Sequence, residues 1–175
     1  MLPERLSREI IYQSKWVNLY RDQVRFPDGR IIDQHHVVSF NTGAVGVIVA
    51  NDNDELLLIE SYRYISQSIG WEIPAGGMEE DETIMDAALR EVMEETGHKI
   101  EDVSKICSYH PSNGSTDQVF NIVKARAVGH SQGFDANEVK SIKWFPKAVV
   151  REMIKNNEIA DGMSLTGLLL YFFNE

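Results

Sequence analysis

Three breaks in the first 54 residues constrain the fold more than any other feature of the chain. They are Pro27-Asp28-Gly29, Asn41-Thr42-Gly43 and Asn51-Asp52-Asn53-Asp54. In the first, Pro presets φ and Gly accepts φ > 0, so the turn has a mechanism. The segments between the breaks are rich in β formers. Residues 8–26 alternate, with Ile10, Tyr12, Val17, Leu19, Tyr20, Val24 and Phe26, and Ile31 to Phe40 reads as the returning strand. Ala44 to Ala50 and Leu56 to Tyr62 are apolar strands joined by the Asn/Asp turn, a hairpin signal. Asn41-Thr42-Gly43 separates an N-terminal strand unit, residues 1–42, from a main domain, residues 43–175.

The remainder mixes strands with few helices. Trp71-Glu72-Ile73-Pro74 is a short extended piece, because the residue before Pro is pushed out of the α region. Ile84 to Thr96 contains no Gly or Pro, Thr83 with Asp86 resembles a capping box, and Gly97 is a good residue to end the helix. Strands are expected at 102–109, 118–128 and 139–145. Pro146 opens a helix to about Asn156, and a last helix spans about 163–173, with Gly167 its weak point. This pattern predicts an α+β fold, a mixed sheet flanked by helices, and not a doubly wound parallel sheet.

Composition sets bounds on function. With 175 residues, 43% hydrophobic and 25% charged, the chain has ordinary globular values. A net charge of −10 repels phosphate, which argues against nucleic acid and anionic membrane as partners. A phosphate-ester substrate would need cations between it and the protein. The single Cys107 excludes an internal disulfide and a Cys-rich zinc site. Met1-Leu2-Pro3-Glu4-Arg5 lacks an apolar signal core, and the longest apolar run, Leu168 to Phe173, is too short to span a bilayer. A soluble cytoplasmic protein is expected.

The helix Ile84–Thr96 holds the chemistry. Ile84, Ala87 and Ala88 share one face, and Glu91 and Glu95 fall on that same face one turn apart. Like charges at i,i+4 repel, and burying an unpaired carboxylate is costly. A hard cation such as Mg²⁺ would remove both penalties. The other reading is a solvated acidic last turn, although negative charge there opposes the helix macrodipole. Arg90 and Glu94 lie on the flank, where an ion pair is natural. The preceding loop, Pro74-Ala75-Gly76-Gly77-Met78, allows close backbone approach at Gly76 and Gly77 and could offer the Ala75 carbonyl as a further hard ligand.

Gly76, Glu82 and the run Arg90-Glu91-Val92-Met93-Glu94-Glu95-Thr96-Gly97 resemble the Nudix box, G-x5-E-x7-R-E-U-x-E-E-x-G-U, at every fixed polar and glycine position. His98 replaces the final aliphatic residue. Leu58-Ile59-Glu60-Ser61-Tyr62-Arg63-Tyr64, the run Trp71 to Gly77, the N-terminal strand pair and Pro111 are similar to the ADP-ribose pyrophosphatase branch. The resemblance covers most of the chain and implies a Nudix fold, a mixed sheet sandwiched between helices in α/β/α order, with the antiparallel N-terminal unit beside it. It implies that Glu91, Glu95 and the Ala75 carbonyl hold Mg²⁺, with Mn²⁺ as a substitute, and that Glu94 is an additional or alternating ligand. Arg90 would orient the carboxylates, Glu82 would be a structural or outer metal partner, and Arg63 would contact a substrate phosphate. Glu138, in Phe134-Asp135-Ala136-Asn137-Glu138, sits where the branch carries its general base; an exposed loop acid is the other reading. The N-terminal unit resembles the part exchanged between subunits, which implies a homodimer whose partner contributes to the pocket.

The implied activity is Mg²⁺-dependent cleavage of the pyrophosphate of a nucleoside diphosphate derivative, ADP-ribose first, to AMP and ribose 5-phosphate. GDP-mannose, another nucleotide sugar or a dinucleoside polyphosphate is the alternative, and a nucleotide-binding module without turnover is the alternative of another class. RNA 5′-end processing is disfavoured by the charge and the lack of a basic patch. Asn113 and Gln118 stand where the branch commonly has Pro and Glu, in a polar loop of the kind that shapes specificity. Trp16 could stack on a base or serve packing. Trp71, Trp144 and Cys107 read as core.

Overall fold

A computed structural model describes residues 1–130, 133–134 and 136–174. The chain divides into two compact units, one of residues 1–43 and 110–119, the other of 44–109 and 120–174.

The first unit is built on a three-stranded antiparallel sheet in the order β1 (Glu4–Gln13), β2 (Val17–Arg25), β3 (Ile31–Phe40). The segment expected as one alternating strand over residues 8–26 is two strands folded on each other. The turn is made by Ser14, whose hydroxyl accepts the Val17 amide at 3.0 Å and donates to the Val17 carbonyl at 2.9 Å. A serine turn of this kind lacks the Gly or Pro that announces a hairpin. Asp22, almost fully buried, takes two 2.8 Å hydrogen bonds from the Arg8 guanidinium, which also lies 4.1 Å over the Tyr20 ring. That pairing holds the Asp22 carboxyl below its ordinary value.

The second unit contains β4 (Ala44–Ala50), β5 (Glu55–Arg63), β6 (Ser68–Glu72), β7 (Ala75–Gly77), α1 (Ile84–Thr96), β8 (His98–Tyr109), β9 (Phe120–His130), β10 (Val139–Pro146), α2 (Lys147–Lys155) and α3 (Gly162–Phe173). The seven-stranded sheet runs β10-β5-β4-β9-β8, with β6 on β5 and β7 on β4. Only β4 and β9 pair in parallel among these neighbours, so the sheet is mixed as expected.

β4 explains why the second unit has two cores. Its strand period of 2 sends Val45, Val47 and Val49 to one face and Ala44 and Ile48 to the other, and all five are buried. The first face packs with Ala87, Ala88 and Val92 of α1; the second packs with Val150 and Met153 of α2 and Met163 and Leu168 of α3. A strand covered on both sides reads as a continuous apolar run, which is how Ala44–Ala50 looks in sequence. Gly46 lets α3 come close: a Cβ there would lie 2.6 Å from the Met163 sulfur. Among the described residues no helix is long and apolar enough to cross a membrane.

The sheet forks where the chemistry lies. β4 pairs with β5 only at Ala50 and Leu56 before the two diverge. The segment from β6 through Pro74 to β7 enters the gap. Ile59–Arg63 pair with Ser68–Glu72 on one side, and Ala44–Gly46 pair with Ala75–Gly77 on the other. The extended piece expected at Trp71–Pro74 is thus the junction of two short strands.

A candidate active site at the sheet fork

Local sequence places the acidic helix. Thr83 Oγ1 accepts the Asp86 amide at 3.2 Å, the first bond of the expected capping box, and donates to the Asp86 carboxylate at 2.6 Å, so Asp86 answers through the Thr83 hydroxyl and not through its amide. Gly97 closes the helix at φ 68°, its N–H on the Met93 carbonyl at 2.9 Å. The face that buries Ala87, Ala88 and Val92 also buries Glu91 and Glu95, each 7% exposed. The wheel reading of a half-apolar, half-acidic buried face describes these side chains, and a solvated last turn does not.

These acids line a cleft of about 510 Å³ between α1, β7, the end of β5 and residues 137–138. Arg63, Ala75, Gly76, Gly77, Arg90, Glu91, Glu94, Glu95 and Glu138 all border it. Glu82 stands behind Arg90 instead. The Arg90 guanidinium grips both Glu82 oxygens at 2.9 Å, donates to Glu91 at 2.7 Å and Glu94 at 3.1 Å, and reaches the Gly77 carbonyl at 2.9 Å. One planar fork therefore fixes the loop to the helix. The Glu82 bond is the main reason the Arg90 pKa is raised and that of Glu82 is lowered. The sequence suggested only the Arg90–Glu94 pair as a natural ion pair.

Glu95 takes the Ala75 amide at 2.8 Å. Burial nonetheless pushes its carboxyl up to about 8, outweighing that bond and the Arg63 charge, with Glu91 and Glu138 adding repulsion. Burial also raises Glu91, against the pull of Arg90. Gly76 is demanded by Glu91: a Cβ at Gly76 would fall on the Glu91 carboxylate. Gly77 has open space instead.

Arg63 is held by a partner the sequence reading missed. Its Nε lies 3.1 and 3.0 Å from the two oxygens of Glu72, its Nη2 closes the fork, and Glu72 is buried while the guanidinium is half exposed. The signal was an acid set inside the apolar run Trp71-Glu72-Ile73. Glu138 is exposed at the rim, and Asp135 of the same loop lies outside the described residues. Trp16 belongs to the other unit, at the β1–β2 turn, 71% exposed with Lys15 over its ring at 4.5 Å. Trp71 stacks edge-on against Phe145 at 4.9 Å, and Trp144 and Cys107 are half-buried against the cores.

A hard, oxygen-liganded cation fits this donor set. Two carboxylates are kept from water beside a backbone loop, and burial pushes one of them up to about 8, a penalty that a bound cation would offset. Among the described residues no three acidic, His or Cys side chains converge into a ready-made cage. Arg90 engages Glu91 and Glu94, and the Ala75 amide engages Glu95.

The raised carboxyl predicts a pH dependence. Between the ordinary Glu value near 4.3 and about 8, folded Glu95 keeps a proton that the unfolded chain has lost. Stability from this group is therefore full below about pH 4 and falls as pH rises to 8, by roughly a few kcal/mol. Urea unfolding in EDTA should show Glu95→Gln gaining on wild type steadily from pH 5 to 8.5. A constant difference between the two would contradict the burial argument.

Residues 41–163 match the family model for the NUDIX domain, and residues 4–38 match that for the nucleoside diphosphate sugar hydrolase N-terminal domain. The chain is 25% identical over 164 residues to the CMP-5′-(N-acetyl-N-hydroxy-3-aminopropyl)phosphonate hydrolase of Streptomyces rubellomurinus, covering 93% of this chain and 79% of that protein. It is 25% identical over 159 residues to the ADP-ribose pyrophosphatase of Bacillus subtilis, covering 89% and 85%. Its fold matches the crystal structure of an ADP compounds hydrolase with a TM-score of 0.85 at 21% identity, over 99% of this chain and 94% of that one. Box, fork and cleft thus sit in the matched region, and the chain belongs to the Nudix hydrolase family.

Proposed function

We propose that the chain hydrolyses the pyrophosphate bond of a nucleoside diphosphate linked to another moiety, with Mg²⁺ and with ADP-ribose as the first substrate, to give AMP and ribose 5-phosphate. The observation that carries this reading is the buried Glu91–Glu95 pair facing the Ala75–Gly76 backbone at the floor of the cleft. Glu91, Glu95 and the Ala75 carbonyl would hold the ion, with Glu94 adding or exchanging a ligand. Bound there, Mg²⁺ supplies positive charge against the diphosphate and Lewis acidity toward water. The remaining work falls to side chains. Arg90, anchored by Glu82, keeps the Glu91 and Glu94 carboxylates oriented at the cleft. Arg63, aimed by Glu72, presents its exposed edge to a phosphate oxygen. Glu138 at the rim takes the proton from the attacking water. Gly76 and Gly77 give the substrate a backbone surface free of side chains.

A relative that acts on a CMP-linked phosphonate favours a second reading, in which the base is not adenine and the cleft selects the diphosphate-like centre. We also read the chain as a homodimer. Ile10, Tyr12 and Trp16 of the N-terminal sheet are each more than half exposed, which a second copy would cover.

The test is a panel of ADP-ribose, GDP-mannose, a UDP-sugar and a dinucleoside polyphosphate, scored by kcat/KM with Mg²⁺ and with EDTA. The expected result is Mg²⁺-dependent release of AMP from ADP-ribose, with the highest kcat/KM of the panel. Tight binding to one or more of these with turnover of none would overturn the enzymatic reading.

A further inference from the structure

Ser164, the third residue of α3, is fully buried and uses its hydroxyl in both directions. It donates to Asp161 Oδ2 at 2.7 Å and accepts the Ile73 amide at 3.0 Å. Asp161 caps α3 without this help, since it also takes the Ser164 amide at 2.7 Å. The hydroxyl is therefore surplus to the helix, and its second bond serves the strand piece.

That piece leads directly to the acids. Ile73 is 1% exposed, so its amide would be an orphan donor without Ser164. Pro74 follows with its φ fixed by the ring, and its carbonyl takes the Val47 amide at 2.9 Å. Ala75 comes next and gives its amide to Glu95 at 2.8 Å. A continuous path of hydrogen bonds and backbone runs from the N-terminus of α3 through three consecutive residues to a carboxylate of α1, with the proline φ fixed at its centre.

We infer that Ser164 is a positioning residue for the cation site: through Ile73-Pro74-Ala75 it fixes the Ala75 backbone against Glu95, with Asp161 orienting its hydroxyl. This rests on the reading of Glu91, Glu95 and Ala75 as the cation site. Groups that bond a metal ligand directly commonly change affinity by about 10- to 100-fold when lost, and Ser164, acting from two residues further back along the chain, is expected at the low end of that range.

The experiment is Mn²⁺ binding to the full chain, followed by the electron paramagnetic resonance of free Mn²⁺. Four proteins are compared: wild type, Ser164→Ala, Asp161→Ala and Leu168→Ala. The last removes fully buried apolar atoms from the same helix without touching the path. The expected result is a Kd raised about tenfold in Ser164→Ala and about threefold in Asp161→Ala. Leu168→Ala should melt earlier yet bind within about twofold of wild type. Should Ser164→Ala fail to fold, Asp161→Ala decides. Wild-type affinity in the path variants, or a loss in Leu168→Ala as large as theirs, overturns the inference alone. A wild-type chain that binds no Mn²⁺ overturns the reading of the site and the inference with it.

Discussion

Glu95→Gln is expected to lower Mg²⁺-dependent hydrolysis by about a thousandfold, equivalent to about 4 kcal/mol of transition-state stabilisation. Glutamine keeps the length of the side chain, and its carbonyl oxygen can still accept the Ala75 amide that Glu95 accepts at 2.8 Å. What it removes is a negative charge whose burial is penalised strongly enough to push the carboxyl up to about 8. Stability and activity should therefore move in opposite directions. In EDTA at pH 8 the variant should melt higher than wild type, while its rate with saturating Mg²⁺ collapses. Such opposed effects are the signature of a group held in a destabilising place for function. Parallel melting curves and initial rates check it, and full activity in the variant would reject the assignment of Glu95 to the ion.

Gly76→Ala should produce the second large effect, again with little loss of fold. The new Cβ would collide with the Glu91 carboxylate, which is the far end of a flexible side chain. Glu91 can swing away from Gly76, so the expected stability loss is below about 1 kcal/mol. The displaced carboxylate no longer faces the cleft from its place beside Arg90, and the rate should fall about a hundredfold. Gly70→Ala is the control, because a Cβ there meets nothing within 4 Å and Gly70 lies outside the cleft lining. Its rate should stay within about twofold. Equal rates for wild type and Gly76→Ala would show that the position of Glu91 does not matter.

Much of this was legible in the sequence, for local reasons. The cap at Thr83, the Gly97 terminus and the face shared by Ala87, Ala88, Glu91 and Glu95 all lie within one 15-residue window, where helical periodicity decides what is buried. The apolar run Ala44–Ala50 likewise read as a strand, and the cover that the structure gives both its faces explains why the run does not alternate. What was not legible depends on distant partners or on quiet turn chemistry. Ser14 bends the first strand back without Gly or Pro. Glu72 aims Arg63 only because β6 folds back along β5. Arg90 looked like half of a helical pair with Glu94, yet Glu82 and the Gly77 carbonyl, eight and thirteen residues away, hold it as well. Ser164 meets Ile73 across 91 residues, a contact that no pattern in either segment foretells.

The most direct test of the central claim is anomalous scattering from a crystal of the wild-type chain soaked in millimolar Mn²⁺. A difference peak is predicted within coordination range of the Glu91 and Glu95 carboxylates and the Ala75 carbonyl, and it should vanish in Glu95→Gln. A map with no peak in the cleft, or with the ion held elsewhere while both carboxylates keep the bonds described above, would contradict it.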